Sequence, residues 1–222
     1  MHKMALAALA AVSLTPAQAA ELWVGLDMSD SAPLLLEDAQ AAAAGETIAA
    51  AIQGLERGDL VRIISFGESG VSDRQIDLTV ELNGRNPPEV IAPQVQTLIA
   101  SLPQRARDGQ LHMETQTNAM GFLERIGPLL NCQTEPTALL VMTDGIEWSA
   151  SISGEGLLAG EPLPSPSGPI LEGCAVIFWG LGQQRREYNH DDGWYPILRT
   201  AWSTYMNEAG VASFSAYGEY KR

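Results

Sequence analysis

The sequence predicts a doubly wound α/β domain: a mostly parallel, six-stranded sheet with helices on both faces. Three observations carry that reading. Apolar runs of strand length recur at residues 22–28 (LWVGLDM), 60–66 (LVRIISF), 137–143 (TALLVMT) and 174–182 (CAVIFWGLG). Helical stretches lie between them, and such alternation implies parallel strands covered on both faces. With 222 residues and 45% hydrophobic content, the chain can bury a full core as one domain, over residues 20–222.

Taken in order, the first strand leads into a stretch, Pro33 to Arg57, rich in Ala, Leu and Ile. Glu37 and Asp38 near its start and Gly58 just past its end punctuate a helix. After the strand at 60–66, the segment RQIDLTVEL (74–82) alternates apolar and polar residues with period two, which predicts an antiparallel edge hairpin. PPEVIAPQVQTLIASL (87–102) is a helix started by proline, and Asn118 to Leu130 is a further helix ahead of the third core strand. Tyr195 to Ala209 is the last helix, before a final strand at 211–219. Residues 149–173, dense in Gly, Pro and Ser, form a long surface loop, and long loops in compact domains are often functional.

The first nineteen residues stand outside this plan. MHKMALAALAAVSLTPAQA has a lone Lys3, a small-residue apolar stretch, a breaking Pro16 and an A-x-A pattern at Ala17-Gln18-Ala19, the marks of a signal peptide removed to leave Ala20 first. No Cys follows it to take a lipid, and no later segment approaches the roughly 20 apolar residues of a membrane span. An exported protein follows, of the periplasm first and the extracellular space second. Export also places Cys132 and Cys174, each just ahead of a predicted strand, where disulfides persist, so a structural bond between them is expected.

Composition excludes some functions. Against 27 Asp+Glu there are 13 Lys+Arg, a formal charge of −14, and a surface of that sign repels nucleic acid. Lysine occurs only at Lys3 and Lys221, so no G-x-x-x-x-G-K phosphate loop exists.

One constellation carries chemistry. In an open α/β sheet, ligands bind outside the carboxyl ends of the strands. GLDMSDSAP (25–33) puts Asp27 at the end of the first strand, with Ser29 and Ser31 alternating after it so that all three side chains can point the same way. Asp144, in LLVMTDG, ends a later strand likewise, and Thr115 and Thr117 sit just ahead of a helix between the two. Two carboxylates and three hydroxyls form an all-oxygen set that suits a hard divalent cation, Mg²⁺ before Ca²⁺ or Mn²⁺.

On these residues the chain resembles the von Willebrand factor type A family and its metal-ion-dependent adhesion site. The family pattern is D-x-S-x-S after the first strand, a Thr in a middle loop and an Asp in a T-D-G-like turn after the fourth strand. Asp27, Ser29, Ser31, Thr117 and Asp144 occupy those five positions in order. The resemblance implies a strand order of 3-2-1-4-5-6 with the third strand antiparallel. It implies that the hydroxyls of Ser29, Ser31 and Thr117 bind the ion directly, and that Asp27 and Asp144 do so directly or through water. An open coordination position would then accept a carboxylate from a partner protein, which is binding and not catalysis. The middle threonine lacks the usual preceding glycine, leaving Thr115 as a rival to Thr117, and Asp30 adds a charge the pattern does not need.

Other readings are weaker. His190, Asp191 and Asp192, in REYNHDDGWYP (186–196), read as a solvated loop with a helix cap before a second metal or acid/base site. His112 has no G-x-S-x-G elbow to serve, which leaves a metal-assisted hydrolase as an alternative without a base. A metal-free structural module of an envelope assembly is the other alternative. Glu147 and Trp148 either sit on the metal rim and contact a partner or start a helix.

Overall fold

A computed structural model describes residues 21–68, 74–183 and 193–218. The predicted signal peptide, residues 1–19, and the His190, Asp191 and Asp192 group lie outside the described residues. The chain runs β1 (Glu21–Asp27), α1 (Pro33–Leu36), α2 (Asp38–Gln53), β2 (Leu60–Phe66), β3 (Asp77–Glu81), α3 (Pro88–Ala100), α4 (Leu102–Arg107) and α5 (Ala119–Ile126). It continues through β4 (Thr137–Met142), α6 (Gly154–Leu158), β5 (Ala175–Trp179), α7 (Trp194–Glu208) and β6 (Ser213–Tyr217).

The six strands form one sheet in the order β3-β2-β1-β4-β5-β6. Only β3 is antiparallel to its neighbour, pairing β2 with Ile63 opposite Leu78, as the sequence predicted. β1 lies between β2 and β4, with Asp27 opposite Phe66 and Leu26 opposite Met142. The parallel strands therefore end on the same side, and Asp27 and Asp144 leave neighbouring strands at one rim.

Side chains on a strand alternate between the faces, and the sequence of β1 exploits both. Leu22, Val24 and Leu26 enter one core beneath α2 and α3, with Ile48, Ile91 and Val95. Trp23 enters the other, beneath α5 and α7, with Phe122 and Trp202. Gly25 falls on that second face, and a Cβ there would come within 2.7 Å of the Phe122 ring. Its missing side chain lets Phe122 lie across β1 and stack on Phe66 at 4.4 Å between ring centres. This seats α5 tightly against the strand that carries Asp27.

Several boundaries differ from expectation. The stretch 33–57 is two helices, broken at Glu37, whose backbone is extended at φ −114° and ψ 108°. Pro33 starts the first, short helix, whose Leu34 and Leu35 are buried, and the second restarts at Asp38. The helix at 118–130 ends at Ile126 and finishes as a 3₁₀ turn, Gly127–Leu129. α4 had no forecast, and α6 lies inside the stretch expected to be loop.

Cys132 and Cys174 are bonded, with their Cα atoms 4.8 Å apart, just ahead of β4 and β5. That is the amino end of the parallel strands, opposite the rim that carries Asp27. β4 and β5 are adjacent and parallel, so the connection between them, which includes residues 149–173, must return from the carboxyl end of the strands to the amino end. The first part, through Leu158, borders the rim, and the last part packs at the far end, where the Leu171 N–H donates to the Ala209 carbonyl at 2.9 Å. Among the described residues no helix is long and apolar enough to cross a membrane.

Candidate functional site

Three segments meet beyond the carboxyl end of β1. After Asp27 the chain continues extended: the Met28 N–H donates to the Phe66 carbonyl at 2.9 Å, and the Glu114 N–H to the Met28 carbonyl at 2.8 Å. The Asp30 N–H donates back to the Glu114 carbonyl at 2.8 Å, so the segment before α5 is laced to the turn that holds Ser29 and Ser31. Glu114 lies over Gly67, where a Cβ would come within 2.1 Å of its Cγ. These contacts carry Thr117 to Asp27.

The turn after Asp27 folds on itself. Asp27 Oδ1 accepts the Ser29 N–H at 2.9 Å, and the hydroxyls of Ser29 and Ser31 lie 3.2 Å apart on one side of the turn. Asp30, between the two serines, is exposed. Thr117 is 2% exposed, with its hydroxyl 3.4 and 3.5 Å from the two oxygens of Asp27, longer than a full-strength hydroxyl–carboxylate bond. Thr115 is exposed, and its hydroxyl donates to Glu68 at 3.0 Å. Of the two threonines, Thr117 is thus the one placed beside Asp27.

The T-D-G turn supplies the third segment. Thr143 donates its hydroxyl hydrogen to Asp27 Oδ2 at 2.6 Å and accepts the Gly145 N–H at 3.0 Å. Gly145 has φ +73°, a left-handed conformation that glycine adopts without steric cost, and a Cβ there would strike Leu181 at 2.2 Å. Its carbonyl accepts the indole N–H of Trp202 at 2.8 Å, which ties the turn to α7. Asp144 Oδ1 accepts the Ile146 N–H at 2.9 Å.

The electrostatics are unbalanced. Asp27 and Asp144 are both 0% exposed. Burial pushes the Asp144 carboxyl up to about 7, and the charge of Asp27 adds to that shift. Burial also raises Asp27, against the lowering effect of its bonds from Thr143 and Ser29. The Ser31 hydroxyl favours the ionised form of Asp144 as a polar neighbour, yet Asp144 Oδ2 is buried with no hydrogen-bond partner. A buried carboxylate oxygen left in this condition costs free energy unless something positive faces it.

Glu147 is the residue that sequence reasoning placed least well. It starts no helix; it is 0% exposed, and its Oε2 accepts the N–H groups of Ala119 and Met120 at 2.8 and 3.1 Å. It thereby anchors the first turn of α5, while the Trp148 N–H bonds the Thr117 carbonyl at 2.8 Å. Its other oxygen has no partner, and burial raises its pKa to about 7. Among the described residues no three Asp, Glu, His or Cys side chains group as metal ligands, so the assembled oxygen set is two carboxylates and three hydroxyls. Thr143 was also passed over, although the T-D-G tripeptide itself was the signal. His112 is exposed, its N–H bonded to the Gln75 side chain at 2.5 Å.

The oxygen set fits a hard cation on this structure's own terms. Two buried carboxylates, one with an unpartnered oxygen, and three hydroxyls close to them are what such an ion takes as ligands.

No protein-family model matches the sequence, and no curated protein matches it. Among solved structures the chain is similar to the pilus adhesin SpaC from Lactobacillus rhamnosus GG, with a TM-score of 0.47 and 15% sequence identity over 93% of this chain and 29% of the adhesin. The open conformation of the same adhesin matches with a TM-score of 0.44 and 14% identity, over 92% of this chain and 28% of that one. The chain spans less than a third of the adhesin's length.

Proposed function

We propose that this chain is an exported von Willebrand factor type A-like binding domain whose Asp27, Ser29, Ser31, Thr117 and Asp144 hold one divalent cation. Mg²⁺ is preferred to Mn²⁺ or Ca²⁺, and the partner is a protein that offers an acidic side chain. The observation that carries the reading is the unpartnered, fully buried Oδ2 of Asp144 beside the buried carboxylate of Asp27. Two such charges face each other at lowest cost when a cation lies between them.

Bound there, the ion would supply a fixed positive charge at the rim, able to accept a carboxylate from outside. The protein's own part is positional. Thr143 holds Asp27 in one orientation, the Ile146 N–H holds Asp144, and the paired Ser29 and Ser31 hydroxyls keep one side of the turn polar. Glu147 and the Trp148 N–H keep the Thr117 segment against them. The reading is of binding without catalysis, since no general base is assigned beside Asp27 and Asp144. A signal peptide at residues 1–19 would deliver the domain to the periplasm or beyond, and the Cys132–Cys174 disulfide fits an oxidising compartment.

The test is calorimetric titration of Mg²⁺ and Mn²⁺ into chelator-treated protein, beside Asp144→Ala and the Ser29→Ala/Ser31→Ala pair. One ion bound by the wild type and none by either variant supports the reading. No ion bound by the wild type overturns it in favour of a metal-free interaction module.

A further inference from the structure

Beside the oxygen set lies a cleft of about 390 Å³, whose lining includes Ser29, Ser31 and Thr117. The lining also has an apolar part: Ile146, Trp148, Leu158 and Trp194. Trp148 is 39% exposed, one of only three large hydrophobic side chains so displayed among the described residues. The other two, Val90 and Leu129, lie on α3 and in the 3₁₀ turn after α5, and neither lines the cleft.

Trp148 is displayed and also held. Its backbone N–H is bonded to the Thr117 carbonyl at 2.8 Å, and the next residue closes a short turn, the Ser149 N–H donating to the Ile152 carbonyl at 3.0 Å. Beneath the indole sits Gly154, where a Cβ would come within 2.9 Å of both the Trp148 ring and Ile146. Only a glycine leaves room for the ring at that spot. An exposed indole whose backbone and underside are already fixed loses little conformational entropy when a partner covers it, which is the usual character of a binding hot spot.

The charged residues described along the cleft are acidic. Asp30 and Glu155 line it and are both exposed, and Glu68 stands beside Thr115 at its edge. Among the described residues that line it there is no Lys or Arg. Outside the oxygen set the rim would therefore repel further acid and favour base.

We infer that this cleft is a composite recognition slot for an extended partner segment: one carboxylate seated at the oxygen set, an adjacent bulky apolar side chain laid on Trp148, and flanking Lys or Arg facing Asp30 and Glu155. This rests on the cation-binding reading and adds to it the chemistry of the partner. The apolar part of the lining contributes affinity by desolvation, whereas the exposed acidic rim contributes mainly to association rate and to the rejection of polyacidic partners. The partner's carboxylate is thus selected by its neighbours and not by charge alone.

The probe is a short Gly/Ser peptide carrying one glutamate, an adjacent phenylalanine and two flanking arginines, followed by fluorescence polarisation in Mg²⁺ and in chelator. Three companions replace the phenylalanine with alanine, the glutamate with glutamine, or the arginines with glutamates. The expected result is that the parent binds in Mg²⁺, and that losing the phenylalanine, or making Trp148→Ala in the protein, weakens it by about tenfold or more. Trp148→Ala should keep the wild-type far-ultraviolet circular dichroism and a cooperative melting transition, which shows that it is folded. Glu155→Lys should weaken the parent and strengthen the glutamate-flanked peptide, and both changes should shrink with added salt.

The slot is overturned if the parent does not bind at millimolar concentration, or if removal of the phenylalanine and Trp148→Ala both leave affinity within about twofold. Failure of the cation reading looks different. The wild type then takes up no Mg²⁺, and any peptide binding ignores both chelator and the glutamate-to-glutamine change.

Discussion

Thr143 and Asp27 lie 116 residues apart in the chain and are joined by a hydrogen bond of 2.6 Å, from the Thr143 hydroxyl to Asp27 Oδ2. Because Thr143 also accepts the Gly145 N–H, this single hydroxyl links the turn after β4 to the end of β1. Thr143→Val keeps the shape and leaves the buried Asp27 Oδ2 with only the long 3.4 Å contact from the Thr117 hydroxyl. The expected cost is about 1–3 kcal/mol of stability, read by urea denaturation in chelator. Thr143→Ser should recover most of it, and equal stability of Val and wild type would show that the bond is unimportant.

The buried carboxyls make stability depend on pH. Asp144 is raised from 3.8 to about 7 and Glu147 from 4.5 to about 7, each chiefly by burial. A group raised in the folded state contributes stability that is full below its unfolded value and is lost as pH rises through its folded value. Chelator-treated protein should therefore lose stability between about pH 4 and 8, and Asp144→Asn should lose less of it. Mg²⁺ competes with protons for the ionised form, so it should raise the melting temperature at pH 8 and do little at pH 5. Melting curves across pH, with and without Mg²⁺, read this directly; a wild-type slope matched by Asp144→Asn would remove Asp144 from the account.

Gly25 should not tolerate a side chain. In Gly25→Ala the new Cβ meets Phe122 at 2.7 Å, and either the ring or α5 has to move. Overpacking of this kind costs about 1–3 kcal/mol. Because α5 follows Thr117, cation affinity should fall as well. The double variant Gly25→Ala/Phe122→Leu relieves the clash and should restore part of both; no recovery would mean that Phe122 is not the obstacle.

The disulfide acts elsewhere. It closes a loop between positions 42 apart, for which chain entropy predicts about 4 kcal/mol of stabilisation. Cys132→Ser/Cys174→Ser should unfold at lower urea yet bind Mg²⁺ unchanged, because the bond sits at the amino end of the strands. Loss of cation binding in folded double variant would contradict that separation.

Much of the architecture could be read from the chain because burial on both faces leaves a strong local mark. Leu60–Phe66 was placed to the residue, and the alternation around Asp77–Glu81 identified the antiparallel edge. Short elements without such a mark were missed: α4 and α6 are six and five residues long, too short for a helical period to stand out. The two-helix break at Glu37, after the buried Leu34 and Leu35, was missed as well.

The sequence by itself determined the succession of strands and helices along the chain and which polar residues end the strands, since hydrophobic runs and turn residues are written in adjacent positions; the order of the strands in the sheet was implied only by the family resemblance. Only the tertiary structure decided that Thr117 and not Thr115 stands beside Asp27, that Glu147 is buried as an anchor for α5, and that Trp148 is left exposed over Gly154. Each of these depends on which segments pack together across the rim, and a burial or a hydrogen bond between residues far apart in the chain leaves no local pattern to read.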